Sequence, residues 1–83
     1  MSKKKTEIDA LRINETTRIT GDRNQWIVQL RSGKGWSARS FVASNKRILT
    51  RVLDELGRVP DAAGIAALDA LPFTHRQWGE ENL

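Results

Sequence analysis

The chain has 83 residues, 14 Lys or Arg against 10 Asp or Glu for a net charge of +4, and an apolar share of 39%. That is one domain near the size at which a hydrophobic core alone still holds a fold, so few apolar residues can be spared from packing. The absence of cysteine excludes disulfides, thiolate metal sites and a cysteine nucleophile, and no apolar run approaches the ~20 residues that span a bilayer.

Residues 1–14 read as a charged, partly ordered arm. Lys3, Lys4 and Lys5 are not followed by an apolar stretch, so the start does not read as a secretory signal and a cytoplasmic location is expected. Ile8, Leu11 and Ile13 offer docking points for the arm but show no clear period. A single compact α+β domain is expected over residues 15–73, with residues 74–83 as a flexible acidic tail.

The domain begins with a strand at residues 16–20, which are rich in β-branched side chains. Residues 21–24, Gly-Asp-Arg-Asn, carry a turn signal. Residues 25–31 then alternate, with Trp26, Val28 and Leu30 on one face and Ile27, Gln29 and Arg31 on the other. Ser32-Gly-Lys-Gly35 is a second turn, and residues 36–42 form the third strand of a three-stranded antiparallel meander. The expected register sets Leu30 opposite Trp36, Val28 opposite Ala38 and Trp26 opposite Ser40 on the core face. Ile27 then meets Arg39, and Gln29 meets Ser37, on the open face. A one-residue slip would set Trp26 opposite Phe41 but bury Arg39 against Val28, at a cost on the order of several kcal/mol. The first register is therefore preferred, with Phe41 at the core edge.

An amphipathic helix follows. Ser44 is its expected N-cap, and Ile48, Leu49, Val52, Leu53 and Leu56 form one apolar stripe to lie on the sheet. Gly57 supplies a left-handed C′ residue and Pro60 prevents resumption. A second, short helix is expected up to Leu71, capped by Asp61 and stopped by Pro72, with Gly64 weakening it by about 1 kcal/mol relative to alanine. Beyond it, Trp78 is the tryptophan expected to be exposed and His75 reads as a surface residue.

Catalytic constellations are missing. His75 is the sole histidine and has no evident partner as a base or metal ligand. Asp54 and Glu55, adjacent on a helix, point about 100° apart, which is wrong for a carboxylate pair. Ser32-Gly-Lys-Gly35 is too short for a phosphate loop and opens a strand rather than a helix. A non-enzymatic protein is expected, with no cofactor, no metal and no membrane partner.

Charge points elsewhere. Residues 16–58 hold nine basic against three acidic side chains, +6, whereas the rest of the chain sums to −2. The leading expectation is nucleic-acid binding, to DNA or RNA, through Arg18, Gln29, Arg31 and Arg39 on the open sheet face. Lys46 and Arg47 stand in the first turn of the amphipathic helix, against its dipole, and make its N-terminus a candidate phosphate site. The alternative is a protein-interaction module, an inhibitor or adaptor, using the second helix and Trp78.

Two resemblances bear on this. The order strand–strand–strand–helix, with Trp26-Ile-Val-Gln-Leu-Arg31 in the second strand and Phe41 three residues before Ser44, is similar to the DNA-binding domains of plant ethylene-response factors and phage-integrase arms. Those domains lay a three-stranded sheet in the major groove. Over about half of the chain, the resemblance implies contact roles for Gln29 and Arg31, with Arg18 on the equivalent face. Residues 18–30, residues 35–41 and the helix after them, about two thirds of the chain, also resemble short accessory proteins of phages and prophages, which implies a mobile-element protein.

Overall fold

The computed structural model describes residues 10–83. Four strands, β1 (Leu11–Asn14), β2 (Thr17–Gly21), β3 (Trp26–Ser32) and β4 (Gly35–Val42), pair antiparallel in sequential order. Three helices follow, α1 (Lys46–Glu55), α2 (Ala62–Ala70) and α3 (His75–Asn82). The α+β class is as expected, but the sheet has four strands rather than three. The extra strand comes from residues assigned to the N-terminal arm, where Leu11 pairs with Ile19 and Arg12 with Arg18. Four residues carry too little alternation to announce a strand, and β1 is defined by its neighbours on both sides. Ile8 and the other residues up to 9 lie outside the described residues.

Each turn is set locally. Asn14 Oδ1 accepts the Thr16 amide at 2.9 Å between β1 and β2. Asp22 Oδ1 accepts the amides of Asn24 at 2.8 Å and Gln25 at 2.9 Å before β3. Gly33, at φ +58°, opens the two-residue turn between β3 and β4, a conformation that glycine takes without steric cost.

The register between β3 and β4 is not the expected one. Trp26 faces Val42, Ile27 faces Phe41 and Val28 faces Ser40; beyond a bulge, Gln29 faces Ala38, Leu30 faces Ser37 and Arg31 faces Trp36. Arg39 is the extra residue, without a cross-strand partner. Both registers weighed from the sequence assume continuous pairing, and the bulge changes phase partway along. It brings Val42 into the core, puts Trp36 on the open face and leaves Phe41 exposed rather than at the core edge.

Trp26, Val28 and Leu30 do face the helices. With Ile13, Ile19 and Val42 they pack against Leu49 and Leu53 of α1, Leu68 of α2, Leu71 at its C-cap and Trp78 of α3, while Ile48, Val52 and Leu56 close the margin. Helix α1 is capped by Asn45, not Ser44: Asn45 Oδ1 accepts the Ile48 amide at 3.1 Å. The Ser44 carbonyl instead accepts the His75 amide at 3.0 Å, beside a short bridge between Asn45 and Thr74. At the other end Gly57, at φ +71°, and Arg58 return their amides to Asp54 and Leu53, closing a Schellman motif.

Helix α2 is capped by Asp61, whose Oδ1 accepts the Gly64 amide at 2.8 Å. Gly64 lies so close to the Ile13 carbonyl of β1 that a Cβ would collide with it. Its role is thus close approach, which outweighs its poor helix propensity.

The segment expected as a flexible tail is α3. Thr74 caps it, accepting the Gln77 amide at 3.1 Å. Trp78 is only 7% exposed, and its ring lies on Gly21, where a Cβ would come within 2.7 Å of it. His75 is buried as well, its Nε2 at 2.8 Å from the Asp22 carbonyl and its ring edge-on to Trp26. Only two buried positions anchor a mostly polar stretch, so no apolar stripe advertises the helix.

Candidate nucleic-acid interface

All three helices pack against one face of the sheet, so that none of the described helices covers the other. Its side chains follow from the strand alternation: Ile27, Gln29 and Arg31 from β3, and their partners across the strands. Arg12, Arg18, Gln29 and Ala38 form one row across all four strands. Arg31 and Trp36 stand beyond it toward the glycine turn, and Thr20, Ile27 and Phe41 form the row on the other side.

The centre of this face is a packed cationic–aromatic group. Arg18 Nε donates to Gln29 Oε1 at 2.6 Å, which holds the guanidinium over Trp36, 4.3 Å from the ring centre. The Arg31 guanidinium lies 5.8 Å from the same centre. Such stacking is favourable through the ring quadrupole and leaves guanidinium edges directed outward as hydrogen-bond donors. Arg12, Asn14, Glu15, Arg18, Arg31 and Trp36 line a shallow cavity of about 310 Å³ here.

Arg12 is engaged at the rim. It pairs with Asp61 at 2.8 Å, across the junction of β1 and α2. The Gly64 amide, aided by the Arg12 guanidinium, holds the Asp61 carboxyl below its ordinary range, although desolvation opposes the shift.

Of the residues singled out from the sequence, Arg18, Gln29 and Arg31 come together here. Arg39 is exposed at the β4 bulge, outside the Trp36 group. Lys46 does not serve an anion site on α1. Its Nζ donates to the carbonyls of Leu68 and Leu71, both at 2.8 Å, and approaches that of Asp69 at 3.4 Å. The ammonium caps the C-terminus of α2, where a positive charge is favoured, so a residue placed badly for its own helix suits the next one. The Lys46 and Ile48 amides at the start of α1 are also taken, by the Phe73 carbonyl and by Asn45. Arg47 is exposed on α1, apart from the sheet group.

Arg12, Trp36, Ala38 and Phe41 are the open-face residues that the sequence did not yield. The first lay in a segment read as an arm, and the other three were assigned inward because a bulge leaves no period-two signature. Among the described residues no three carboxylate or imidazole side chains gather in a way that would hold a metal ion, and no helix is long and apolar enough to cross a membrane. No protein-family model, curated protein or solved structure matches this chain.

Proposed function

We propose that this is a small non-enzymatic nucleic-acid-binding protein that works through the open face of its sheet. One observation carries the proposal: two arginines gathered over a tryptophan on a sheet face that none of the described helices covers. Arginine forks match phosphate oxygens, and their planes stack on bases as readily as on indole. Gln29 positions Arg18 through the 2.6 Å bond and brings an amide to the same row. The resemblance to sheet-based DNA-binding domains supports the same face and the same three residues. The alternative, a protein-interaction module using the second helix and Trp78, loses one of its two supports, because the Trp78 side chain is in the core.

The test is a titration of the whole chain with short DNA and RNA at two salt concentrations. Binding is expected to weaken steeply with salt, and Arg18→Ala with Arg31→Ala to flatten that dependence, each lost phosphate contact removing up to about 0.9 from the logarithmic slope on duplex DNA. Absence of binding to any oligonucleotide at about 50 mM salt would overturn the proposal.

A further inference from the structure

Resting on that reading, we infer that the open face takes a single strand, with its bases stacked on Phe41 and on the guanidinium that lies over Trp36, rather than the groove of a duplex. The first ground is the bulge. Along an unbroken β4, Trp36 and Phe41 would project to opposite faces, because they are an odd number of residues apart. The extra residue Arg39 restores them to one face, opposite Arg31 and Ile27 respectively. Bulges re-aim side chains, and this one aims an aromatic ring outward at the expense of ladder pairing.

The second ground is exposure. Phe41 is 57% exposed, although it lies next to a core that needs bulk. With Ile27 beside it, Phe41 gives this basic face an apolar end. A duplex keeps its base faces stacked inside and has nothing to lay on such a ring, whereas a single strand presents a π-face from every base. Trp36 and Phe41 stand opposite Arg31 and Ile27, roughly 13 Å apart along the strand, which gives a strand two stacking points, Phe41 and the Arg18 plane supported by Trp36, with Arg31 placed for the phosphates beside the latter.

The third ground is width. Four strands set the outer strand axes about 14 Å apart, already more than the ~12 Å of a major groove before side chains are added. A three-stranded face fits such a groove; the presence of β1 alters the match. Arg12, on β1, belongs to the same row as Arg18 and Gln29.

The experiment is fluorescence anisotropy with labelled oligothymidine and oligouridine of about twelve nucleotides, and a mixed-sequence duplex of equal length. The preferred single strand is expected to bind at least about tenfold more tightly than the duplex. Phe41→Ala, at an exposed position, should weaken single-strand binding by about five- to a hundredfold and leave duplex binding nearly unchanged. Trp36→Phe, which keeps a ring, should retain most of the affinity that Trp36→Ala loses. Equal or tighter binding to the duplex, or a Phe41→Ala variant that binds single strands as before, overturns the inference while leaving nucleic-acid binding in place. Failure of all the oligonucleotides to bind removes the underlying function, and the inference with it.

Discussion

Trp26 and Trp36 occupy neighbouring strands of one sheet and have opposite tasks. Trp26 is fully buried, facing Val42 across the ladder and packed against the edge of His75. Trp36 is half-buried on the other side, beneath two guanidinium groups. Both are large rings in alternating segments, and composition alone assigns both to the core of so small a domain. What separates them is phase. The same bulge that admits Val42 to the core keeps Trp36 out of it, so one face becomes uniformly apolar and the other mixes rings with cations.

The sharpest way to break this contrast is to truncate each ring in turn. Trp26→Ala is expected to lose about 3–5 kcal/mol, a large part of the stability of a domain this size. Trp36→Ala should lose less than about 1.5 kcal/mol, chiefly its stacking with Arg18. Denaturant midpoints measure both. Equal losses would mean that Trp36 is a packing residue after all, and the open face would lose its centre.

Gly64 tests what holds β1, and with it Arg12, at the edge of the sheet. On helix propensity alone, Gly64→Ala should gain about 1 kcal/mol. The methyl group would instead meet the Ile13 carbonyl, which belongs to a paired strand and cannot easily withdraw. A net loss of about 2–3 kcal/mol is expected, typical of overpacking. A stabilised variant would show that α2 can shift away from β1 at little cost.

Lys46 and Arg47 repeat the contrast in adjacent cations. Lys46→Met is expected to lose about 1–2 kcal/mol by leaving the last carbonyls of α2 without their charged donor. Arg47→Met should stay within about 0.5 kcal/mol, as for most exposed positions. Thermal unfolding of the two variants side by side is sufficient, and indistinguishable melting curves would argue that water replaces the ammonium.

The parts that were legible share a physical origin. Trp26, Val28 and Leu30 alternate without interruption, the stripe of α1 has a full helical period, and Gly57, Asp61 and Pro72 act at their own positions through local backbone chemistry. The sequence therefore located α1, α2, the two main turns and the inward face of β3. The missed parts depend on partners remote in sequence. β1 is a strand because Ile19 and α2 lie on either side of it, and α3 is ordered because Gly21 leaves room for Trp78. Asn45 rather than Ser44 caps α1 because Ser44 is drawn toward His75. The site was legible to the same degree: Arg18, Gln29 and Arg31 follow from alternation, whereas Trp36 and Phe41 depend on the bulge.

The smallest expected effect concerns Asp61, where the open face meets the helical layer. Its carboxyl is held below the ordinary value of 3.8 by the Gly64 amide and then by Arg12, so the ionised form favours the folded state. A depressed carboxylate contributes stability that is complete above its unfolded value and is lost as pH falls through its folded value. Asn caps a helix about as well as Asp but does not titrate or pair with Arg12. Asp61→Asn is therefore expected to be slightly less stable than the parent near neutral pH, and the gap should close as the pH falls below about 4. A gap that does not narrow at all as the pH falls would mean that shape rather than charge matters at this position. The same variant also probes the sheet, because Asp61 draws the Arg12 guanidinium toward α2. Released, that guanidinium joins the row of Arg18 and Gln29 and adds one cation to the face. Oligonucleotide binding at neutral pH should then tighten modestly, with a salt dependence steeper by up to about 0.7 for a single strand.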